Sequence, residues 1–128
     1  MIILDTCTLL WLVADHKRLS TKAKSSIMQN AGSIFVSSIS AFEIAIKSRN
    51  GKLKLPMPIY KWFFEALKFH GIHEIPINSD IAINSACLPQ LHNDPCDRII
   101  IASAIQSSMV IITCDKLISQ YKQIKVIW

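Results

Sequence analysis

Five carboxylates, Asp5, Glu43, Asp94, Asp97 and Asp115, stand where the local sequence can present them to a ligand. Asp5 closes the apolar run Met1-Ile2-Ile3-Leu4, and Asp115 follows Met109-Val110-Ile111-Ile112 after only Thr113 and Cys114. Short continuous apolar runs read as buried strands, so both acids fall at strand carboxyl ends. Asp94 and Asp97 lie in the loop entering a helix, and Glu43 lies in the first turn of another. In an open parallel sheet these places share one edge, and binding crevices form there. Taken singly, Asp5, Asp97 and Asp115 can each be a helix cap. Glu43 can close a capping box with Ser40 or pair with Lys47 at i,i+4. As a set they pose a problem that capping does not answer: crowded, unpaired carboxylates raise one another's pKa and destabilise the fold. A divalent cation removes that cost, and hard oxygen donors with open water positions suit Mg²⁺ or Mn²⁺ better than zinc. An acidic metal site in an otherwise basic chain points to metal-assisted hydrolysis of nucleic-acid phosphodiesters.

The elements that must position these acids alternate along the chain. After the first strand, Thr6 can cap a helix through Leu9-Leu10-Trp11-Leu12-Val13. Ser20-Thr21 opens a second helix with Ala23, Ile27 and Met28 turned inward, ended by Gly32. Ile34-Phe35-Val36 reads as a strand, and the Ser40 to Glu43 box as the start of a helix with Phe42, Ala45 and Ile46 on its inner face. Ile59 to His70 is amphipathic, grouping Trp62, Phe63, Ala66 and Leu67. Ile72 to Ile77 reads as a third strand, and Asp80 to Leu88 as a helix. Asp97 precedes the apolar helix from Ile99 to Ile105, Met109 to Ile112 is a strand, and a short helix and Val126-Ile127 close the pattern. Apolar strands separated by helices imply an α/β fold with a parallel sheet covered on both faces.

Composition bounds the rest. At 128 residues the chain suits one domain, 1–128, and its 18% charged content sits below the usual share of about 25%. The longest apolar runs, such as Leu9 to Ala14, fall far short of the ~18 residues of a membrane span, so no membrane partner is expected. The absence of a basic start before Asp5 argues against a secretory signal. Cys7, Cys87, Cys96 and Cys114 form no Cys-x-x-Cys pair, which points to reduced, mostly buried thiols and a cytoplasmic location. His92, Cys96 and Cys114 match no usual zinc spacing. The basic residues cluster as Lys17, Arg18, Lys22 and Lys24, then as Lys47, Arg49, Lys52 and Lys54. Each cluster suits either RNA backbone contact or a solvated face. Arg98 can bind phosphate or pair with an acid. Trp62-Phe63-Phe64 suits core packing or a partner groove better than base stacking. Placing five of the nine acids in one site leaves Asp15, Glu65, Glu74 and Asp80 to oppose 14 basic residues. The formal +5 therefore averages an acidic pocket and a strongly basic exterior.

Four ordered segments carry a family resemblance: Ile3-Leu4-Asp5-Thr6 with Leu9-Leu10-Trp11; Val36 to Lys47 around Glu43; His92-Asn93-Asp94-Pro95-Cys96-Asp97-Arg98 through Ala102; and Ile112-Thr113-Cys114-Asp115. Together they resemble a PIN domain, and the whole chain resembles a VapC-type toxin of a bacterial type II toxin–antitoxin pair. The resemblance implies a PIN-like fold, with a central parallel sheet of four or five strands between helices. It also implies a Mg²⁺-dependent endoribonuclease (Mn²⁺ as a substitute) whose acidic quartet is Asp5, Glu43, Asp97 and Asp115. Asp5, Asp97 and Asp115 would bind the metal, Glu43 would orient or deprotonate the attacking water, and Asp94 would be an accessory acid. Thr6 or Thr113 would supply a small hydroxyl at the metal edge, and Lys47, Arg49, Lys52, Lys54 and Arg98 are candidates for RNA contact. The implied partners are an RNA substrate, a cognate VapB-like antitoxin and a second copy in a homodimer. Cys7, Cys96 and Cys114 are unusual neighbours for such acids and suggest thiol sensitivity. Two other functions compete: a PIN nuclease of RNA processing outside any toxin pair, and a Mg²⁺-binding receiver-like module. The receiver reading leaves Glu43 and the Asp94/Asp97 segment unexplained and lacks an acidic pair after the first strand.

Overall fold

A computed structural model describes all 128 residues. Five strands form one all-parallel sheet in the order β3-β2-β1-β4-β5. They are β1 (Ile2–Leu4), β2 (Ile34–Ser37), β3 (Ile72–Ile75), β4 (Val110–Ile112) and β5 (Val126–Ile127). Six helices connect and cover them: α1 (Thr6–Ala14), α2 (Thr21–Gln29), α3 (Ser38–Arg49), α4 (Ile59–His70), α5 (Ser79–Cys87) and α6 (Pro95–Gln106). The expected α/β architecture with helices on both faces is present. The continuous apolar strands are buried because each face of the sheet meets its own core. Ile2, Leu4, Val36 and Ile112 pack with Leu9, Leu12, Ile27, Ile44, Trp62 and Phe63. Ile3 and Ile111 pack on the other side with Ile100, Ile101, Ala104, Ile118 and Tyr121. Alternate residues of one strand thus serve opposite cores.

The chain runs outward from β1 to β2 to β3, then returns to lay β4 against the other side of β1. That reversal opens the sheet between the carboxyl ends of β1 and β4, which is where ligands bind in open parallel sheets. Asp5 and Thr113 are the residues that immediately follow those two strands.

Local chemistry sets the ends and faces of the elements, and several differ from the sequence expectation. Asp5, not Thr6, caps α1. Its carboxylate is the better acceptor for the free first-turn amides, and Thr6 instead contacts Ser40, Oγ1 to Oγ at 2.9 Å. The Ser40–Glu43 capping box does not form, because α3 starts at Ser38 with Ser37 as its cap. Turning Ser40 and Ile44 inward leaves Phe42 54% and Ile46 40% exposed, the reverse of the expected face. Met28 of α2 is likewise exposed while Ala23 and Ile27 are buried. β3 ends at Ile75 rather than Ile77, since Pro76 has no amide to give the ladder. Trp62, Phe63, Ala66 and Leu67 are buried together on α4, as their spacing predicts.

Candidate active site

Asp5 leaves the end of β1 buried, with both oxygens engaged. Oδ1 accepts the Thr8 amide at 2.8 Å, and Oδ2 accepts the hydroxyl of Thr113. Thr113 is itself buried at the end of β4, and its Oγ1 accepts the Asp115 amide at 3.0 Å. One hydroxyl therefore fastens the two strand ends across the crevice and fixes where Asp115 leaves the chain. Asp115 turns over β4 with Oδ1 accepting the Leu117 amide at 2.8 Å and Oδ2 facing His92 Nε2 at 2.9 Å. Asp97 arrives from the first turn of α6, its Oδ2 3.1 Å from the same His92 nitrogen. Glu43 arrives from α3, with Oε2 3.2 Å from Lys47 Nζ. Its Oε1 is buried without a hydrogen-bond partner.

The electrostatics record the crowding. Burial pushes the Asp5 carboxyl above its ordinary range, and Asp115 adds to that push against the lowering effect of its hydrogen bonds to Thr113 and Thr8. Asp97 is pushed up to about 7, first by burial and then by the charge of Asp94, with Asp5 and Glu43 contributing. All five acids picked out by the sequence thus act on one another at one edge. The ligand atoms of His92, Asp97 and Asp115 lie within 4.8 Å of one another, and Asp5 and Glu43 stand outside this tightest group.

The residues fit a hard divalent cation. Several oxygen donors converge at the crevice, burial and neighbouring acids push one acid among them up to about 7, and a buried carboxylate oxygen of Glu43 is unpartnered. Asp94 has a defined structural task as well: it caps α6, accepting the Cys96 amide at 2.8 Å, with Pro95 in the first helical position. The helix therefore starts before Asp97 rather than after it.

Arg98 corrects the sequence expectation. It is buried, and its guanidinium donates to the carbonyls of Pro89, His92, Ala86 and Leu88 and to the Tyr121 hydroxyl, at 2.8 to 3.3 Å. No acid pairs with it and no face is left for phosphate, so neither the phosphate nor the ion-pair reading holds. The two Nη groups of the rigid fork, reaching five acceptors, instead lash the segment before α6 to the second core. Tyr121 completes the lashing by accepting the His92 amide at 3.0 Å and donating to Pro89 at 2.8 Å.

His92 is the site residue that the sequence did not reveal. It reads there as a loop residue beside Asp94, and nothing in the pattern says that it is buried against two acids. The one available signal was its place two residues ahead of the acidic Asp94-Pro95-Cys96-Asp97 turn.

The thiols also differ from expectation. All four are free, but Cys7, Cys87 and Cys114 are exposed and Cys96 is half-buried. Crowding by protein and then the nearby acids push Cys7 and Cys96 up to about 11, which makes them poor nucleophiles at neutral pH. Of the second basic cluster, Arg49, Lys52 and Lys54 are exposed and Lys47 is half-buried against Glu43. A cleft of about 220 Å³ runs from Glu43 past Lys47 to Lys52, with Phe42, Ile46 and Cys96 in its wall. The largest cleft, about 650 Å³, lies away from the acids, between Val13, Met57 and the Trp62–His70 part of α4.

A parallel sheet with an acidic crevice at its reversal point defines the class of the chain as an open, parallel α/β fold. The chain belongs to the PIN domain family, which matches residues 2–124. Membership sets the receiver-like reading aside. The chain is 29% identical over 122 residues to the protein named Ribonuclease VapC22 of Mycobacterium tuberculosis, covering 94% of this chain and 92% of that protein. Its fold is similar to that of a chain in a toxin–antitoxin complex from Klebsiella pneumoniae, with a TM-score of 0.69, 22% identity, and coverage of 100% and 97% of the two chains. It is similar also to a chain of VapBC2 from Rickettsia felis bound to a promoter DNA fragment, with a TM-score of 0.71, 16% identity, and coverage of 99% and 98%. No helix is long and apolar enough to cross a membrane.

Proposed function

We propose that this chain is one PIN domain, 1–128, acting as a divalent-metal-dependent endoribonuclease and as the toxin of a toxin–antitoxin pair. The convergence of Asp5, Glu43, Asp97 and Asp115 on the β1–β4 crevice carries the reading. Asp5, Asp97 and Asp115 would hold Mg²⁺, or Mn²⁺ in its place, directly or through water. A bound cation of this kind supplies positive charge, lowers the pKa of an attacking water and stabilises a leaving oxygen. Glu43 has the unpartnered oxygen at the edge of this group, so it orients the water and accepts its proton at Oε1. Lys47 keeps Glu43 aimed by holding Oε2. Asp94 acts at one remove, setting the start of α6 and adding negative charge at Asp97.

Lys47 and Lys52 line the cleft beside Glu43, Arg49 and Lys54 are exposed close by in the chain, and we assign all four the RNA backbone. The antitoxin, and a second copy in a homodimer, would cover apolar surface that the monomer leaves open. Tyr60 and Phe64 of α4 are exposed beside a groove of about 240 Å³ that Ala41 and Ala45 of α3 also line. The names of the similar proteins support both the ribonuclease and the antitoxin assignments, and a pair of this kind works in the cytoplasm.

The test is RNA cleavage by the purified protein. Cleavage should stop with EDTA, return with Mg²⁺ or Mn²⁺, and be absent from Asp5→Asn and Asp97→Asn. Equal cleavage by both variants overturns the acidic-site mechanism. Growth arrest on expression, reversed by the product of the adjacent gene, separates a toxin from an RNA-processing nuclease.

A further inference from the structure

His92 sits against Asp97 and Asp115 at distances that would suit a third metal ligand. Its other nitrogen decides otherwise. Nδ1 lies 3.1 Å from the backbone nitrogen of Asp94, and a backbone N–H can only donate. Nδ1 must therefore be the bare, accepting nitrogen of the ring, which places the ring's single hydrogen on Nε2. That hydrogen goes to Asp115 Oδ2 at 2.9 Å, and Asp97 Oδ2 lies 3.1 Å from the same nitrogen. For Nε2 to ligate a cation the hydrogen would have to move to Nδ1, where it would meet the Asp94 N–H head-on.

The ring is not free to turn away from this conflict. It is buried, its backbone N–H is bound to Tyr121, and its carbonyl is bound to Arg98. Arg98 and Tyr121 are themselves buried in the second core. The arrangement is a chain of support running from the core through Arg98 to His92 and from His92 to two acids that belong to different elements.

We propose that His92 is a positioning residue and not a metal ligand: its Nε2–H holds the Asp115 carboxylate by a hydrogen bond, and the same ring edge packs against the Asp97 carboxylate at the metal edge. The inference rests on the metal-site reading given above. Partners of this kind that orient metal-binding groups are typically worth 10- to 100-fold in metal affinity or activity.

Mn²⁺ binding to the full-length protein tests the assignment without any turnover. Calorimetry on wild type, His92→Ala and His92→Gln measures affinity, and pulsed EPR of the Mn²⁺-loaded wild type looks for a directly bonded imidazole nitrogen. The expected result is a wild-type spectrum without that nitrogen coupling, and His92→Ala weakened roughly 10- to 100-fold. His92→Gln should keep most of the affinity, since its amide offers an N–H donor at similar reach. In RNA cleavage the alanine variant should lose kcat at saturating Mn²⁺ with little change in KM for RNA. A ligated-nitrogen signal overturns the inference and leaves the acidic metal site standing. So does a His92→Ala variant that binds Mn²⁺ as tightly as wild type, or a glutamine variant as weak as the alanine one. A wild type that binds no Mn²⁺ brings down the metal-site reading, and this inference with it.

Discussion

Removing the Asp97 charge should make the metal-free protein more stable, and the gain should depend on pH. The Asp97 carboxyl is pushed from an ordinary 3.8 up to about 7, chiefly by burial and by Asp94. An acid whose folded value is raised binds its proton more tightly in the native state. Below about pH 4 both states are protonated and no cost arises; between about pH 4 and 7 the unfolded chain gives up its proton while the native state keeps it, so stability falls across that window and levels off above 7. A shift of this size corresponds to about 4 kcal/mol at about 1.4 kcal/mol per pKa unit. Asp97 shares its site with four other acids, so about half of that, ~2 kcal/mol, is a better expectation for one residue. Asp97→Asn keeps the shape and removes the titration. It should match wild type near pH 4 and exceed it at pH 8 by ~2 kcal/mol, or roughly 6–8 °C in Tm for a domain of this size. Thermal melts in EDTA at the two pH values measure the difference. Millimolar Mg²⁺ should raise the wild-type Tm at pH 8 and leave that of Asp97→Asn nearly unmoved. A variant destabilised equally at both pH values would refute the reasoning, because Asp97 would then be stabilising the fold rather than straining it.

The other expectations concern the scaffold and the RNA path. Arg98→Met should cost about 3–5 kcal/mol in urea unfolding, because it strands the carbonyls of Ala86, Leu88 and His92 and takes a donor from Pro89 and Tyr121. A phosphate-binding role would instead leave stability unchanged. Thr113→Val removes the hydroxyl shared by Asp5 and the Asp115 amide. It should lower stability by about 1–3 kcal/mol and reduce cleavage at saturating RNA. Lys52→Ala with Lys54→Ala should lower the salt slope of RNA binding by about 1 for each phosphate no longer neutralised, with kcat preserved. An unchanged slope removes this cluster from the RNA path.

The sequence shows the sheet and the acids because both follow from short-range rules. A buried parallel strand must be apolar throughout, and an acid that directly follows one has nowhere to go but the sheet edge. Asp5 and Asp115 are readable on that ground alone. The face of α3 is not readable, since Phe42, Ala45 and Ile46 satisfy helical periodicity as well as Ser40, Ala41 and Ile44 do. A hydroxyl pair with Thr6, 34 residues away in the chain, accompanies the face that is buried. Arg98 and His92 escape for the same reason. A charged residue at the start of a helix looks like a surface group until Tyr121 and the carbonyls of residues 86–92 are brought to it by the fold.

The hydrogen bonds divide the acids into a fixed half and a responsive half. Asp5 and Asp115 each have both oxygens engaged, by Thr8 and Thr113 and by Leu117 and His92. Such bonds lock the carboxylates to the strand ends, although burial still raises Asp5. Asp97 has only the approach of His92 Nε2 at 3.1 Å, and Glu43 holds Lys47 with one oxygen while the other meets nothing. Charge arriving at the crevice therefore moves Asp5 and Asp115 little, since their partners already hold them. It changes much at Asp97, which can then ionise, and at Glu43, whose free oxygen gains a water to orient. Satisfying that half as well would relieve the strain on the metal-free protein, and with it the reason for a cation to bind.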